Sequence, residues 1–219
     1  MSRNAVPPDP AKACSLCPRL VAFREEYQEK EPDWFNGAVP SMGPETAELL
    51  IIGLAPGLRG ANRTGKPFTG DASGDLLFKT LAKCGGLAAP DATAATGQTQ
   101  LENTMITNAV RCVPPQNKPT GAEINTCRPF LQARLTALPN LKVVVMLGRI
   151  AHDATIRSLG LKLKDVPFAH GAIAHTELEG RPLMLCSSYH CSRYNVNTRR
   201  LTEDMFERVF TRVQEHLAR

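Results

Sequence analysis

A three-layer αβα sandwich around a central, mainly parallel sheet is the fold that this 219-residue chain predicts. Three observations carry the expectation. Short apolar runs recur without polar alternation, as strands buried on both faces require. Stretches with helical periodicity separate them, the order that builds a parallel sheet with helices on both faces. Glycine- and proline-rich loops follow the runs directly, and in such sheets ligands bind at the carboxyl ends of the strands.

Leu49, Leu50, Ile51, Ile52, Gly53 and Leu54 make the first strand, too short for a helix and closed by a Gly/Pro loop. Ser73 is expected to cap a helix through Leu76, Leu77, Leu81 and Ala82, which Gly85 and Gly86 stop. Residues 88–100, rich in Ala and Thr, read as a loop. Met105, Ile106 and Thr107 centre the second strand, and Thr120 with Glu123 three places on forms a capping box for a helix reaching Leu138. Residues 143–147 are the third strand, which Gly148 turns into another helix. Residues 173–178 and 183–187 bracket a turn at Gly180 as further strands, and a helix over 201–217 closes the chain. No repeat or linker interrupts residues 1–219, so a single domain is expected.

No apolar run approaches the roughly 20 residues of a membrane helix, and residues 1–13 lack the apolar core of a signal peptide. A cytoplasmic protein without a membrane partner is the expectation. The net charge of +5 permits a polyanionic partner without requiring one. Basic residues crowd two segments, Arg59, Arg63 and Lys66 in one, Arg193, Arg199 and Arg200 in the other. Seven cysteines, an odd count, argue against a disulfide framework and for metal binding or burial. Cys14 and Cys17 form a C-x-x-C pair, and Cys112 and Cys127 flank a proline-rich loop. Four thiolates from two chain regions suit zinc or a four-iron cluster equally, and spacing does not separate the two. Simple burial is the competing reading for Cys112 and Cys127. A redox C-x-x-C is disfavoured because the pair does not follow a strand. Cys84 and Cys186 sit in apolar patterns as core thiols.

Residues 53–71 are the densest signal. Within them Gly60 to Lys66 matches the start of a phosphate-binding P-loop, but Pro67 stands where a magnesium-binding Ser or Thr is needed. Glycines in such a loop let backbone N–H groups approach a ligand closely. Phe68 offers a flat face for a base or a core residue for the loop; Asp71 is either a chemically active carboxylate or a helix cap. The second loop, 188–195, follows a strand and sets His190 among Ser, Asn and Arg. His152, His175 and His216 lack that context, and His170, before Gly171, stands between.

Together, the loop 53–57, the run Asn62-Arg63-Thr64-Gly65 with Phe68-Thr69-Gly70-Asp71, and His190-x-Ser192-x-x-Asn195 resemble family 5 (type b) uracil-DNA glycosylases. The segment 108–115 with Asn117, Lys118 and Pro119, the run Leu147-Gly148-Arg149, and the four cysteines are similar to the same group. The resemblance spans roughly Cys14 to Phe206. It implies a four-stranded parallel sheet between helices, an N-terminal cysteine-bearing helix packed on the domain, and a structural [4Fe-4S] cluster on Cys14, Cys17, Cys112 and Cys127. It also implies a monomeric, monofunctional glycosylase that starts base excision repair on DNA containing uracil, hypoxanthine or xanthine. His190, Asp71 and Asn117 are the expected catalytic residues. Gly53, Leu54, Ala55, Gly57, Phe68, Asn108 and Asn195 are expected around the base, with Arg63, Gly148, Arg149, Ser192 and Arg193 at phosphates and Tyr194 as a wedge. The first loop's apolar residues leave Asp71 as the nearest carboxylate for water. The rival reading is a non-catalytic nucleic-acid-binding module stapled by zinc or iron–sulfur.

Overall fold

The computed structural model describes residues 6–84 and 101–219. The expected helix stop at Gly85–Gly86 and the loop over 88–100 lie outside them. The elements run α1 (Pro18–Lys30), β1 (Leu49–Gly53), α2 (Ala61–Thr64), α3 (Ala72–Lys83), β2 (Thr104–Asn108), α4 (Gly121–Ala137), β3 (Val143–Leu147), α5 (Arg149–Ser158), β4 (Ile173–Leu178), β5 (Arg181–Ser188), α6 (Arg193–Asn197) and α7 (Glu203–Leu217).

The sheet has five strands, not four, in the order β2-β1-β3-β5-β4. Strands β2, β1, β3 and β5 are parallel; β4 joins the edge antiparallel to β5. The extra strand is the first arm of a hairpin whose turn residues, Glu179 and Gly180, both have positive φ (52° and 76°), the conformation a two-residue hairpin turn demands. Every residue of β1, β2 and β3 is buried, whereas β4 is buried nowhere along its length. That contrast explains why the inner strands read as unbroken apolar runs.

Alternate strand residues feed two cores. Leu49, Ile51, Ile106, Val143, Val145 and Cys186 pack beneath α3 and α7. Leu50, Ile52, Met105, Val144, Met146 and Leu185 pack on the opposite face with α4 and α5. The result is the expected three layers. β1 leads through α3 to β2 on one side, and β3 leads through α5 towards β5 on the other. Their loops therefore part at neighbouring strand ends, which opens a crevice there.

Two local assignments change. Asp71, not Ser73, caps α3: its Oδ1 accepts the N–H groups of Ser73 (3.0 Å) and Gly74 (3.1 Å). A carboxylate two residues earlier reaches both orphan donors, and its charge suits the helix N-terminus. The N-terminal cysteines precede α1 instead of riding on it, with Cys17 at the N-cap and Pro18 opening the first turn. The capping box of Thr120 and Glu123 forms as expected. Among the described residues no helix is long and apolar enough to cross a membrane.

Candidate active site

A cavity of about 720 Å³ opens at the carboxyl ends of β1, β2, β3 and β5, within the usual range for small-molecule sites. The loop after β1 contributes Leu54, Ala55, Gly57, Phe68 and Asp71. Asn108 comes from the end of β2 and Asn117 from the turn beyond it; Gly148 and Arg149 follow β3; His190, Ser192 and Asn195 follow β5. Residues more than a hundred positions apart are thus gathered by the parallel register, in which Gly53 pairs with Asn108 and Leu147 with Ser188.

His190 is enclosed on most sides. Its ring stacks on Phe68 with centroids 5.9 Å apart and planes inclined by 23°. Nδ1 is buried with no hydrogen-bond partner. Burial pushes the imidazole pKa down to about 4, so the ring is neutral at physiological pH. A neutral ring carries one N–H, and sealing a bare lone pair at Nδ1 costs less than sealing an N–H there. The proton therefore belongs on Nε2, which makes it a donor towards the cavity. The loop is held from below: the Asn195 side-chain amide donates to the His190 carbonyl at 2.8 Å, and Cβ of His190 would meet a side chain at Gly148 at 3.3 Å. Gly148 also has φ 94°, so two constraints demand glycine there.

Asp71 divides its carboxylate. Oδ1 caps α3, while Oδ2 faces Gly57 and Gly60, where an added Cβ would stand 3.1 and 2.5 Å from it. Burial raises the pKa of the group, and the Gly74 and Ser73 N–H donors offset this only in part. The two readings of Asp71, cap and active carboxylate, are thus compatible in geometry. Phe68 is buried with φ 57°, an unusual backbone for a bulky residue and one that concentrates at functional sites. Gln116 and Asn117 share that conformation (φ 56° each) in a single turn, which leaves Asn117 exposed on the cavity rim.

Not every expected site residue lines the cavity. Gly53 does not line the cavity; it lies under it, where its missing side chain admits Asn108 Oδ1 and the Phe68 ring, which a Cβ would meet at 2.4 and 2.6 Å. Asn195 lines the wall, and its side-chain N–H holds the His190 loop. Arg63 packs towards Gly70 outside the cavity, and Arg193 lines a neighbouring groove with Asp75, Lys79 and Glu203. Conversely, Phe168, Ala169, Tyr189, Ile150 and Arg200 line the cavity and were missed. Phe168 sits in the irregular connection between α5 and β4, where no periodicity marks a residue as inward; only the flag on neighbouring His170 pointed there. His152 is satisfied structurally, its ring nitrogens 2.9 Å from Ser187 Oγ and from the Val166 carbonyl.

The four cysteines meet. Cys112 and Cys127 are buried with Leu20, Ala38, Val110 and Phe130, and Cys14 and Cys17 pack against them. All four line one small apolar cavity, and the Arg111 backbone N–H points at Cys127 Sγ (3.4 Å). Among the described residues no three His, Cys, Asp or Glu side chains close round a single ion. Ala55 packs on this cysteine core and also lines the main cavity, so one residue forms the wall between them.

Residues 40–214 match the family model described as the uracil DNA glycosylase superfamily. The chain belongs to that superfamily. It is 45% identical over 200 residues to a protein of Thermus thermophilus named Type-5 uracil-DNA glycosylase, with 89% of each chain covered. A Mycobacterium tuberculosis protein of the same name is 39% identical over 90% of this chain and 75% of its own. A Type-4 uracil-DNA glycosylase of Archaeoglobus fulgidus is 33% identical over 69% of each. Superfamily membership agrees with the resemblance drawn from the loop motifs, and the higher identities fall on relatives named Type-5.

Proposed function

We propose that this member of the superfamily hydrolyses the N-glycosidic bond of uracil extruded from DNA. The observation that carries the reading is a neutral His190, donor side to the cavity, facing a chamber that also holds the free oxygen of Asp71 and the stacking face of Phe68. As the bond lengthens, negative charge grows on the pyrimidine, largely at its carbonyl oxygens. A fixed donor there stabilises the transition state more than the substrate. His190 supplies it at O2, Phe68 stacks on the ring, and Asn108 or Asn117 reads the remaining edge. Asp71 Oδ2 steadies the cationic sugar and orients water as a base. Because the cavity far exceeds a pyrimidine in size, it also admits purines, which supports excision of hypoxanthine and xanthine and entry into base excision repair. Extrusion costs least at a mispaired base, so G·U sites are favoured.

The cysteine cavity fits a [4Fe-4S] group by its donors: four thiols, apolar walls and a backbone N–H aimed at one sulfur. Cys14, Cys17, Cys112 and Cys127 would hold it. When bound, it would clamp the N-terminal segment to the loop after β2; the hydrolysis itself moves no electrons.

The deciding experiment incubates the protein with a uracil-containing duplex, then with alkali. Strand breaks at uracil are expected; intact strands with retained binding would leave only a nucleic-acid-binding module. A freshly purified sample is expected to be brown with a broad visible band, and a colourless protein carrying zinc would overturn the cluster.

A further inference from the structure

Two arginines beside the cavity sit over aromatic rings. The Arg149 guanidinium is 5.0 Å from the Phe168 centroid, and that of Arg200 is 4.7 Å from the Tyr189 centroid. The rings are themselves braced. Phe168 meets His152 edge-on at 5.5 Å, and Tyr189 stacks on His170 at 5.0 Å with planes inclined by 21°. The Tyr189 backbone N–H donates to His170 Nδ1 at 3.1 Å, which ties the ring pair to the chain. Phe168 and Tyr189 stand 6.1 Å apart, and both arginines line the cavity with them. Arg19, Arg111 and Arg134 all hold carboxylates, but neither Arg149 nor Arg200 forms an ion pair among the described residues.

A guanidinium stacked on a ring commits its face and keeps its edge N–H groups, the donors a phosphate takes two at a time. Holding it over the ring beforehand removes the rotamer freedom that an unpartnered arginine loses on binding. A strand with one nucleotide in the cavity must carry phosphates past the cavity's mouth. We propose that Arg200 is a pre-ordered phosphate seat for the DNA strand flanking the extruded nucleotide, with Tyr189 as the platform that orders it, beside Arg149, which the family resemblance already places at a phosphate and which Phe168 orders in the same way. This rests on the cavity taking a base from DNA. It gives Arg200 a direct role, and it makes Tyr189 and His170 positioning residues that touch no base.

The test is equilibrium binding, by fluorescence anisotropy over a salt series, to a short duplex carrying a tetrahydrofuran abasic analogue that no glycosylase can cut. Arg200→Ala is expected to make the negative slope of log K against log salt shallower by about 0.9, the value for one lost phosphate contact on duplex DNA. Tyr189→Leu keeps the charge, so its slope stays at the wild-type value while affinity falls about threefold from lost ordering. Tyr189→Phe, which keeps the ring, restores wild-type affinity and guards against a folding artefact. Lys164→Ala, an exposed charge away from the cavity, controls for general electrostatics. An unchanged slope in Arg200→Ala would overturn the phosphate seat, and undiminished affinity in Tyr189→Leu would overturn the pre-ordering. Failure to excise uracil would instead count against the proposed function alone, since this binding involves no cleavage.

Discussion

Two regions treat buried charge in opposite ways. Near the cysteine core, Asp9 bridges Arg111 (2.7 Å) and Arg134 (2.5 Å), Arg134 also holds Glu45 (2.7 Å), and Ser41 Oγ accepts from Arg111 at 3.0 Å. Burial alone would raise the Asp9 carboxyl; Arg111, Ser41 and Arg134 outweigh it and hold its pKa below the usual range. Around the large cavity the pattern reverses. His190 Nδ1 has no partner, one oxygen of Asp71 is left over, and Arg149 and Arg200 hold no carboxylate among the described residues. Charges satisfied by one another ties chain segments together. Polar groups left over are available to a substrate, at a cost in stability that the rest of the fold offsets.

That contrast predicts where a mutation is felt. The largest effect is expected for His190→Ala, which should slow single-turnover uracil excision 100- to 1,000-fold, about 2.7–4 kcal/mol of barrier. Thermal stability should fall only modestly with it, because no hydrogen bond of the ring is lost and only its stacking on Phe68 goes. A comparable drop in melting temperature would mean that His190 belongs to the scaffold. Asp9→Ala inverts the outcome. It removes the carboxylate that two buried guanidiniums share and should destabilise the fold by about 3 kcal/mol in denaturant unfolding, the low end of such losses because Arg134 retains Glu45 and Arg111 retains Ser41 and the Pro8 carbonyl.

Acid sharpens the comparison further. The folded imidazole of His190 titrates near pH 4, whereas an unfolded histidine titrates near 6.5. Between those values the unfolded chain binds a proton that the folded one refuses, so stability falls as pH falls through that window. The loss amounts to at most about 3 kcal/mol, and His190→Gln should remove it. Excision in wild type should accordingly show no inflection near pH 6.5. Its acid limb should lie above the ordinary aspartate range, because the Asp71 carboxyl is raised by burial. The smallest effect separates the two duties of Asp71. Asp71→Asn keeps an oxygen for the cap but removes the charge, so activity should fall with little change in stability. Asp71→Ala should lose about 1 kcal/mol more in unfolding free energy.

Much of this architecture was legible because local rules decided it. The capping box at Thr120, the hairpin turn at Gly180 and the buried runs of β1 and β3 each follow from a few neighbouring residues. The Asp71 cap was misread by two positions because Ser73 satisfies the same local rule, and only the hydrogen bonds show which side chain reaches. Arg63 and Arg193 were expected at phosphates from their place in the loop motifs, and neither lines the cavity itself, which only the tertiary structure shows. Phe168 and Arg200 carried no local mark, since an irregular connection has no period from which to read a facing.

By itself the sequence determined the alternation of strands and helices, the loops that carry chemistry and the family to which the chain belongs, because periodicity, caps and motif spacing are properties of short stretches. Tertiary structure alone decided that His190 is neutral, that Asp71 has an oxygen to spare, and that Tyr189 carries Arg200. Burial, desolvation and ring stacking depend on groups brought together from distant parts of the chain, and no local pattern encodes them.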